Sequence, residues 1–383
     1  MRLRKAFLVI ILVLLAGVTA TAFFLPAVAR RVAEKSLQAT CPGSAVRIGS
    51  CIIKPLHLIQ LSDIVVSKPP VYEITVKDVR FVYTLGALWQ HMLSLVEVSG
   101  ITVKITAPRM RVDQLGQLFS LEGKSPFLIG RAAVKDIDLA ITTRDLRIPS
   151  SKISVEGDLA RQEFLSVDAA IPSLRSSGVT VTGIFFAAAQ SSGKGILRIG
   201  EVTYDKLTVR DIAAAPFLEG KALRLEDCSA KALDGALQGR GDIVLDSSLA
   251  YQGSLRALRL SLKAVEREFE LKEKVVMNGF FSGTLEVKGK GALVTVLRGD
   301  FTADDPGGTI AVRDQATLQS IAAGQGPDQE KVVETLKNYE YNKGTCVASL
   351  EEGKIVMQAG LAGPNGKFNP VMYYNFVVEG GGQ

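Results

Sequence analysis

GTLEVKGKGALVTVLRGDF, residues 283–301, decides the fold. Leu285 and Val287 alternate with Thr284, Glu286 and Lys288, a period of two that places apolar side chains on one face of an extended strand and polar ones on the other. Gly289–Lys290–Gly291 interrupts the alternation, and a second strand follows. The two glycines start a G-x-G-x-x-G pattern but the third is missing, and they lie between strands rather than before a helix. A hairpin turn therefore explains them better than a nucleotide-binding loop.

The same texture runs outward in both directions. EITVKDVRFVYT (73–84), SGITVKIT (99–106), AVKDIDLAITT (133–143) and SKISVEGDLA (151–160) precede it, as do SGVTVTGIFF (177–186), GILRIGEVTYDKLTVRD (195–211) and GRGDIVLD (239–246). GKIVMQAGLAG (353–363) follows it. About 18–22 strands of ordinary length fit between residues 46 and 380. Helices are expected only over 86–95, 111–120, 260–270 and 327–338, the last with Asp328 as its cap after Pro327. Each strand carries Ile, Val, Leu or Phe on one face, and few helices exist to cover it. Such a sheet buries its apolar face against another sheet, closes on itself, or holds something that is not protein.

The N-terminus differs. Residues 6–29, AFLVIILVLLAGVTATAFFLPAVA, carry no charge, and a run of about 20 apolar residues crosses a bilayer core. Arg2, Arg4 and Lys5 favour a cytoplasmic N-terminus, with Arg30 and Arg31 weakening the asymmetry. A cleaved signal peptide is the competing reading, against which stand the length of the run and the lack of a clean small-residue cleavage site. PAVARRVAEKSLQA (26–39) reads as an amphipathic helix. Either Val28, Val32 and Leu37 lie on the membrane surface, or it continues the anchor. The expected division is 1–5 cytoplasmic, 6–29 transmembrane, 30–40 juxtamembrane helix and 41–383 a periplasmic β domain.

Charge and chemistry exclude other classes. The net charge is +6, but residues 1–35 hold six basic residues against Glu34, leaving the rest at +1. That is no nucleic-acid footprint, so no nucleic-acid partner is expected. The two histidines, His57 and His91, have no neighbouring nucleophile and read as structural. The chain lacks G-x-S-x-G, G-x-x-x-x-G-K-[ST], H-E-x-x-H and C-x-x-C, so neither an enzyme, a cofactor nor a metal site is expected. Asp304–Asp305–Pro306–Gly307–Gly308 reads as a turn rather than a calcium loop. Cys41 and Cys51 bracket a turn-rich segment and are a disulfide candidate in an oxidising compartment. Cys228 and Cys346 sit in strand-like alternation and read as buried free thiols.

Three regions carry a resemblance. LPAVARRVAEKSLQA (25–39) runs into SAVRIGSCIIKPLHLIQLSDIVVSKPPVYEITVKDVRFVYTLGALWQHMLSLVEVSGITVKI (44–105). LEDCSAKALDGALQGRGDIVLDSSLAYQGSLRALRLSLKAV (225–265) and VMNGFFSGTLEVKGKGALVTVLRGDFTADDPGGTIAVRD (276–314) form the middle, and LKNYEYNKGTCVASLEEGKIVMQAGLAGPNGKFNPVMYYNFVV (336–378) the close. In order and content these resemble the AsmA-like proteins of Gram-negative envelopes, including the YdbH and TamB relatives. The resemblance implies a mainly β, elongated, taco-like antiparallel sheet with an apolar groove and a few short helices, held by an N-terminal transmembrane helix in the inner membrane with its body in the periplasm. It further implies passive movement of phospholipids, gripped by their acyl chains, toward the outer membrane.

The groove face on this reading comprises Val79, Phe81, Val103, Ile105, Leu139, Ile141, Val179, Val181, Leu197, Ile199, Leu285, Val287 and Leu293. About 20 strands at roughly 4.8 Å make a sheet of about 100 Å, shorter than the larger relatives. An outer-membrane or periplasmic protein partner, self-association, or a local shuttle role would reconcile the difference. The rival class is a non-transporting envelope scaffold that assists outer-membrane protein assembly.

Overall fold

The structure is a computed structural model that describes residues 26–375 except 40, 42, 55–56, 112–127, 162, 177, 247, 292, 323–328, 365 and 370. Within the stretch read above as one β domain the chain divides into two units, Met1–Leu174 and Arg175–Gln383.

The first unit holds α1 (residues 26–39), β1 (Ala45–Lys54), β2 (Leu58–Lys68), β3 (Tyr72–Val82), α2 (Leu85–Trp89), β4 (Met92–Ala107), β5 (Leu128–Thr143), β6 (Leu146–Ile148), β7 (Lys152–Asp158) and β8 (Glu163–Ser176). β1 to β4 form an antiparallel meander. β4 and β5 are parallel, a departure from the expected all-antiparallel order. The physical reason is the long connection: parallel strands need a crossover of about a dozen residues, and twenty separate Ala107 from Leu128. The helix expected at 111–120 lies mostly in this connection, outside the described residues. β7 and β8 extend the ladder antiparallel from β5.

The second unit holds β9 (Val179–Ala189), β10 (Ile196–Tyr204), β11 (Leu207–Glu219), β12 (Ala222–Ala232), β13 (Gly235–Val244), β14 (Ala250–Ser261), α3 (Leu262–Glu268), β15 (Val275–Asn278), β16 (Phe280–Lys290), β17 (Leu293–Ala303), β18 (Gly308–Val312), α4 (Gln315–Ala322), α5 (Gln329–Leu336), β19 (Tyr339–Tyr341), β20 (Lys343–Glu351), β21 (Lys354–Gly363), β22 (Gly366–Phe368) and β23 (Val371–Asn375). An antiparallel ladder runs β9-β10-β11-β12-β13-β14-β16-β17-β20-β21, with β22 and β23 both on β21. β15, β18 and β19 make a separate three-stranded sheet. The molecule is thus mainly β, dominated by antiparallel pairing, with few helices.

One device recurs. The apolar stripe of a strand advances by two residues, then once by three, across a residue with positive φ. Leu61-Ser62-Asp63-Ile64, Val98-Ser99-Gly100-Ile101, Val134-Lys135-Asp136-Ile137, Val181-Thr182-Gly183-Ile184, Val209-Arg210-Asp211-Ile212 and Leu225-Glu226-Asp227-Cys228 all follow it, with φ of 50° to 64° at the Asp or Gly. Gly enters the left-handed region without penalty, and Asp is among the residues that tolerate it. The step kinks the strand while keeping its apolar residues on one face.

Elsewhere the structure corrects the sequence reading. The helix expected over 86–95 stops at Trp89, because His91 takes φ 55° and Met92 opens β4. α3 and α5 fall within the other expected helices, and Asp328 lies outside the described residues. Cys41 and Cys51 are free thiols. Ser44 N donates to Cys41 O (3.2 Å), which fixes Cys41 at the start of β1. Cys51 lies six residues beyond Ala45, about 20 Å along the strand, whereas a disulfide needs Cα atoms within about 7 Å. Among the described residues no helix is long and apolar enough to cross a membrane, and residues 6–25 of the expected span lie outside them.

Candidate functional site

The alternation places two unlike faces back to back on the strands of the second unit. On the central strands one face reads, row by row across β13, β14, β16 and β17, Leu237–Ala257–Gly283–Phe301, Gly239–Leu255–Leu285–Gly299 and Gly241–Gly253–Val287–Leu297. The rows between them read Gln238–Arg256–Thr284–Asp300 and Arg240–Ser254–Glu286–Arg298. In these rows charge is confined to one face, and the other carries only hydrocarbon and glycine.

Glycines shape that apolar face. A Cβ on Gly239 would meet Leu255 Cδ2 at 2.8 Å, one on Gly283 would meet Phe301 Cδ1 at 2.7 Å, and one on Gly299 would meet Phe301 Cε2 at 2.6 Å. At Gly289 the obstacles are the Leu293 carbonyl oxygen and the Tyr251 Oη, each 2.3 Å from the same ideal position. Large side chains therefore lie flat across neighbouring glycines instead of standing up from the sheet. The product is a smooth apolar track. Burial pushes the Tyr251 phenol and the Cys228 and Cys346 thiols upward, so all three are neutral near pH 7.

What covers the face varies along the chain. In the first unit α1 lies over it: Ala33 and Leu37 pack against a cluster that includes Ile48, Ile64, Tyr72 and Ile105. Leu37 thus faces protein, not a membrane surface, while Val28 and Val32 stay exposed. At the far end of the second unit, Leu318, Leu336, Tyr339 and Tyr341 pack with Phe281, Val312 and Leu361. Tyr339 Oη donates to the carbonyls of Leu361 (3.1 Å) and Gly366 (2.9 Å), which ties this cap to the ladder. Elsewhere in the second unit, on β9 to β14, β16 and β17, apolar residues such as Val181, Leu197, Ile199, Leu255, Leu285, Val287 and Leu297 are half-buried and, among the described residues, belong to neither cluster.

The candidate residues therefore separate. Val79, Phe81, Val103, Ile105 and Ile141 join the cluster under α1, and Leu139 pairs with Val103 beside it. Val179, Val181, Leu197 and Ile199 lie on paired strands of the second unit, Val181 opposite Val202 and Leu197 opposite Phe186. Leu285 and Val287 sit in the central rows. Leu293 does not: a register shift after Lys288 pairs it with Lys290 on the charged side, 59% exposed, and Val294 takes the place opposite Gly289. The two-residue alternation passed over Leu255 and Leu297, and it missed the three-residue step of the repeated apolar-x-Asp/Gly-apolar motif.

Asp304–Gly308 is a turn closed by Gly307 N to Asp304 O (2.9 Å), and among the described residues no three His, Cys, Asp or Glu converge as metal ligands. What the face can do is hold a long hydrocarbon by its sides. A family model described as YdbH-like, intermembrane phospholipid transport protein YdbH, matches residues 145–345, just over half of the chain. No match is found among curated proteins or solved structures.

Proposed function

Since this chain belongs to the YdbH-like family of intermembrane phospholipid transport proteins, we propose that its uncovered apolar face is a groove for phospholipid acyl chains, along which lipid passes between the two membranes of the envelope. The observation that carries this reading is the half-buried apolar track of β9 to β17, backed by the face that carries the charged side chains of these strands. Acyl chains would lie along the track with headgroups in water. Each CH2 removed from water contributes about 0.8 kcal/mol, which offsets what the lipid loses on leaving a bilayer. Equivalent rows of Leu, Val and Gly give near-equal affinity from strand to strand, so lipid slides and supply sets direction. No covalent step and no cofactor is involved.

In the same proposal residues 6–29 anchor the chain in the inner membrane, N-terminus cytoplasmic, and the β units stand in the periplasm. A chain of this size reaches the outer membrane through a protein partner or a second copy. The test is mass spectrometry of lipid retained by the purified full chain. Phospholipid in the wild type, lost in Val181→Asp with the fold intact by circular dichroism, supports the proposal. A lipid-free wild type that copurifies with outer-membrane protein precursors would replace it with a scaffold role.

A further inference from the structure

One end of the first unit gathers exposed apolar side chains. Trp89, at the end of α2, is 90% exposed, Leu128 at the start of β5 70%, and Leu159 after β7 48%. They share an edge. Leu128 N donates to His91 O (2.8 Å), and Leu159 N donates to Gly130 O (2.9 Å), so the three follow one another across the ends of adjacent strands. Lys54, which closes β1 at this same edge, and Arg131 are both exposed.

The course of α1 gives this edge a direction. Cys41 O accepts from Ser44 N, Glu34 Oε1 accepts from Ile48 N (3.0 Å), and Arg30 Nη1 donates to Gly49 O (3.5 Å). Tracing α1 backward from Cys41 to Arg30 therefore means travelling along β1 from Ser44 toward Lys54. The helix runs antiparallel to β1, and its N-terminal end points to the edge that carries Trp89. The uncharged segment 6–29 enters α1 at that end, with Val28 and Val32 exposed, 56% and 62%.

We propose that the Trp89–Leu128–Leu159 edge seats in the interfacial layer of the bilayer from which the segment 6–29 emerges, holding the first strands against the lipid surface. Tryptophan favours that layer, where its ring is apolar and its N–H stays wet. Exposed Leu beside it adds buried area, and Lys54 and Arg131 lie within the headgroup zone. The inference rests on the reading of residues 6–29 as a membrane anchor.

Trp89 is the only tryptophan of the chain, so its fluorescence reports this edge alone. The full-length protein is reconstituted into phosphatidylethanolamine–phosphatidylglycerol vesicles, with and without lipid brominated near the headgroup end of its acyl chains. Retention of the chain is checked by alkaline carbonate extraction. The expected result is emission shifted to shorter wavelength and quenched several-fold by the brominated lipid. Leu128→Ser with Leu159→Ser, both at exposed positions, should reverse most of that quenching while the chain stays in the membrane. A chain retained in the vesicles whose Trp89 emits as in water, unquenched, overturns the docking edge and leaves the anchor standing. A chain released by carbonate overturns the anchor, and the docking edge with it.

Discussion

Two stretches of the same kind of sheet face meet different fates. Under α1, Ile48, Ile64 and Tyr72 are buried to 2%, 5% and 3% exposure, and the apolar face there is an ordinary core. On β14, β16 and β17, residues of the same types in the same alternation, Leu255, Leu285 and Leu297, stay half-buried, and among the described residues they belong to neither buried cluster. The alternation of a strand determines that it has an apolar face. Whether that face is core or binding surface depends on what the rest of the chain lays across it.

This contrast predicts unlike responses to substitution. The largest effect is expected from Leu285→Asp, which should abolish retention of phospholipid by the purified protein while changing unfolding free energy by less than about 1 kcal/mol, as at a surface position. Denaturant titration alongside lipid extraction checks both halves. Under α1 the order reverses: Ile48→Ala should cost about 3 kcal/mol of stability, in the range for truncating a buried aliphatic side chain, with lipid retention unchanged below the unfolding transition. Gly289→Val should fall between. Its new side chain has to push back the Leu293 carbonyl and displace the Tyr251 ring, an overpacking cost of about 1–3 kcal/mol or more, and the displaced ring would stand in the track and slow lipid passage.

The smallest effect concerns the cap of the second unit. Burial pushes the Tyr341 phenol from an ordinary 10 up to about 12. A raised folded value means that its contribution is fully present below pH 10 and is lost as pH rises through about 12. Tyrosinate absorbance should thus appear in step with loss of the cap, whereas lipid retention on the central strands should persist at the onset.

Much of this was legible in the residues. Strand identity followed from alternation, the break between β16 and β17 from Gly291, and the family from the order of its segments. What escaped the sequence depends on distant contacts. Leu37 is apolar and reads equally well as membrane-facing, and only its packing against the cluster with Ile48 shows otherwise. Cys41 and Cys51 are close in sequence but separated by most of an extended strand. Leu293 keeps the expected alternation, yet a one-residue shift after Lys288 moves it to the charged side, because in a strand a single residue reverses the face. The motif with Asp63, Gly100 and Asp136 was visible as letters. Its meaning, a kink that carries the apolar stripe three residues forward, needs the backbone angles.

The most direct test of the central claim compares adjacent residues. Photo-crosslinkers are placed in the full-length chain at Leu285 and Val181 on the apolar face, and at their neighbours Glu286 and Thr182 on the other. The account predicts phospholipid adducts at Leu285 and Val181 and none at Glu286 and Thr182. Equal labelling of both faces, or labelling of neither in a protein that retains lipid, would contradict it.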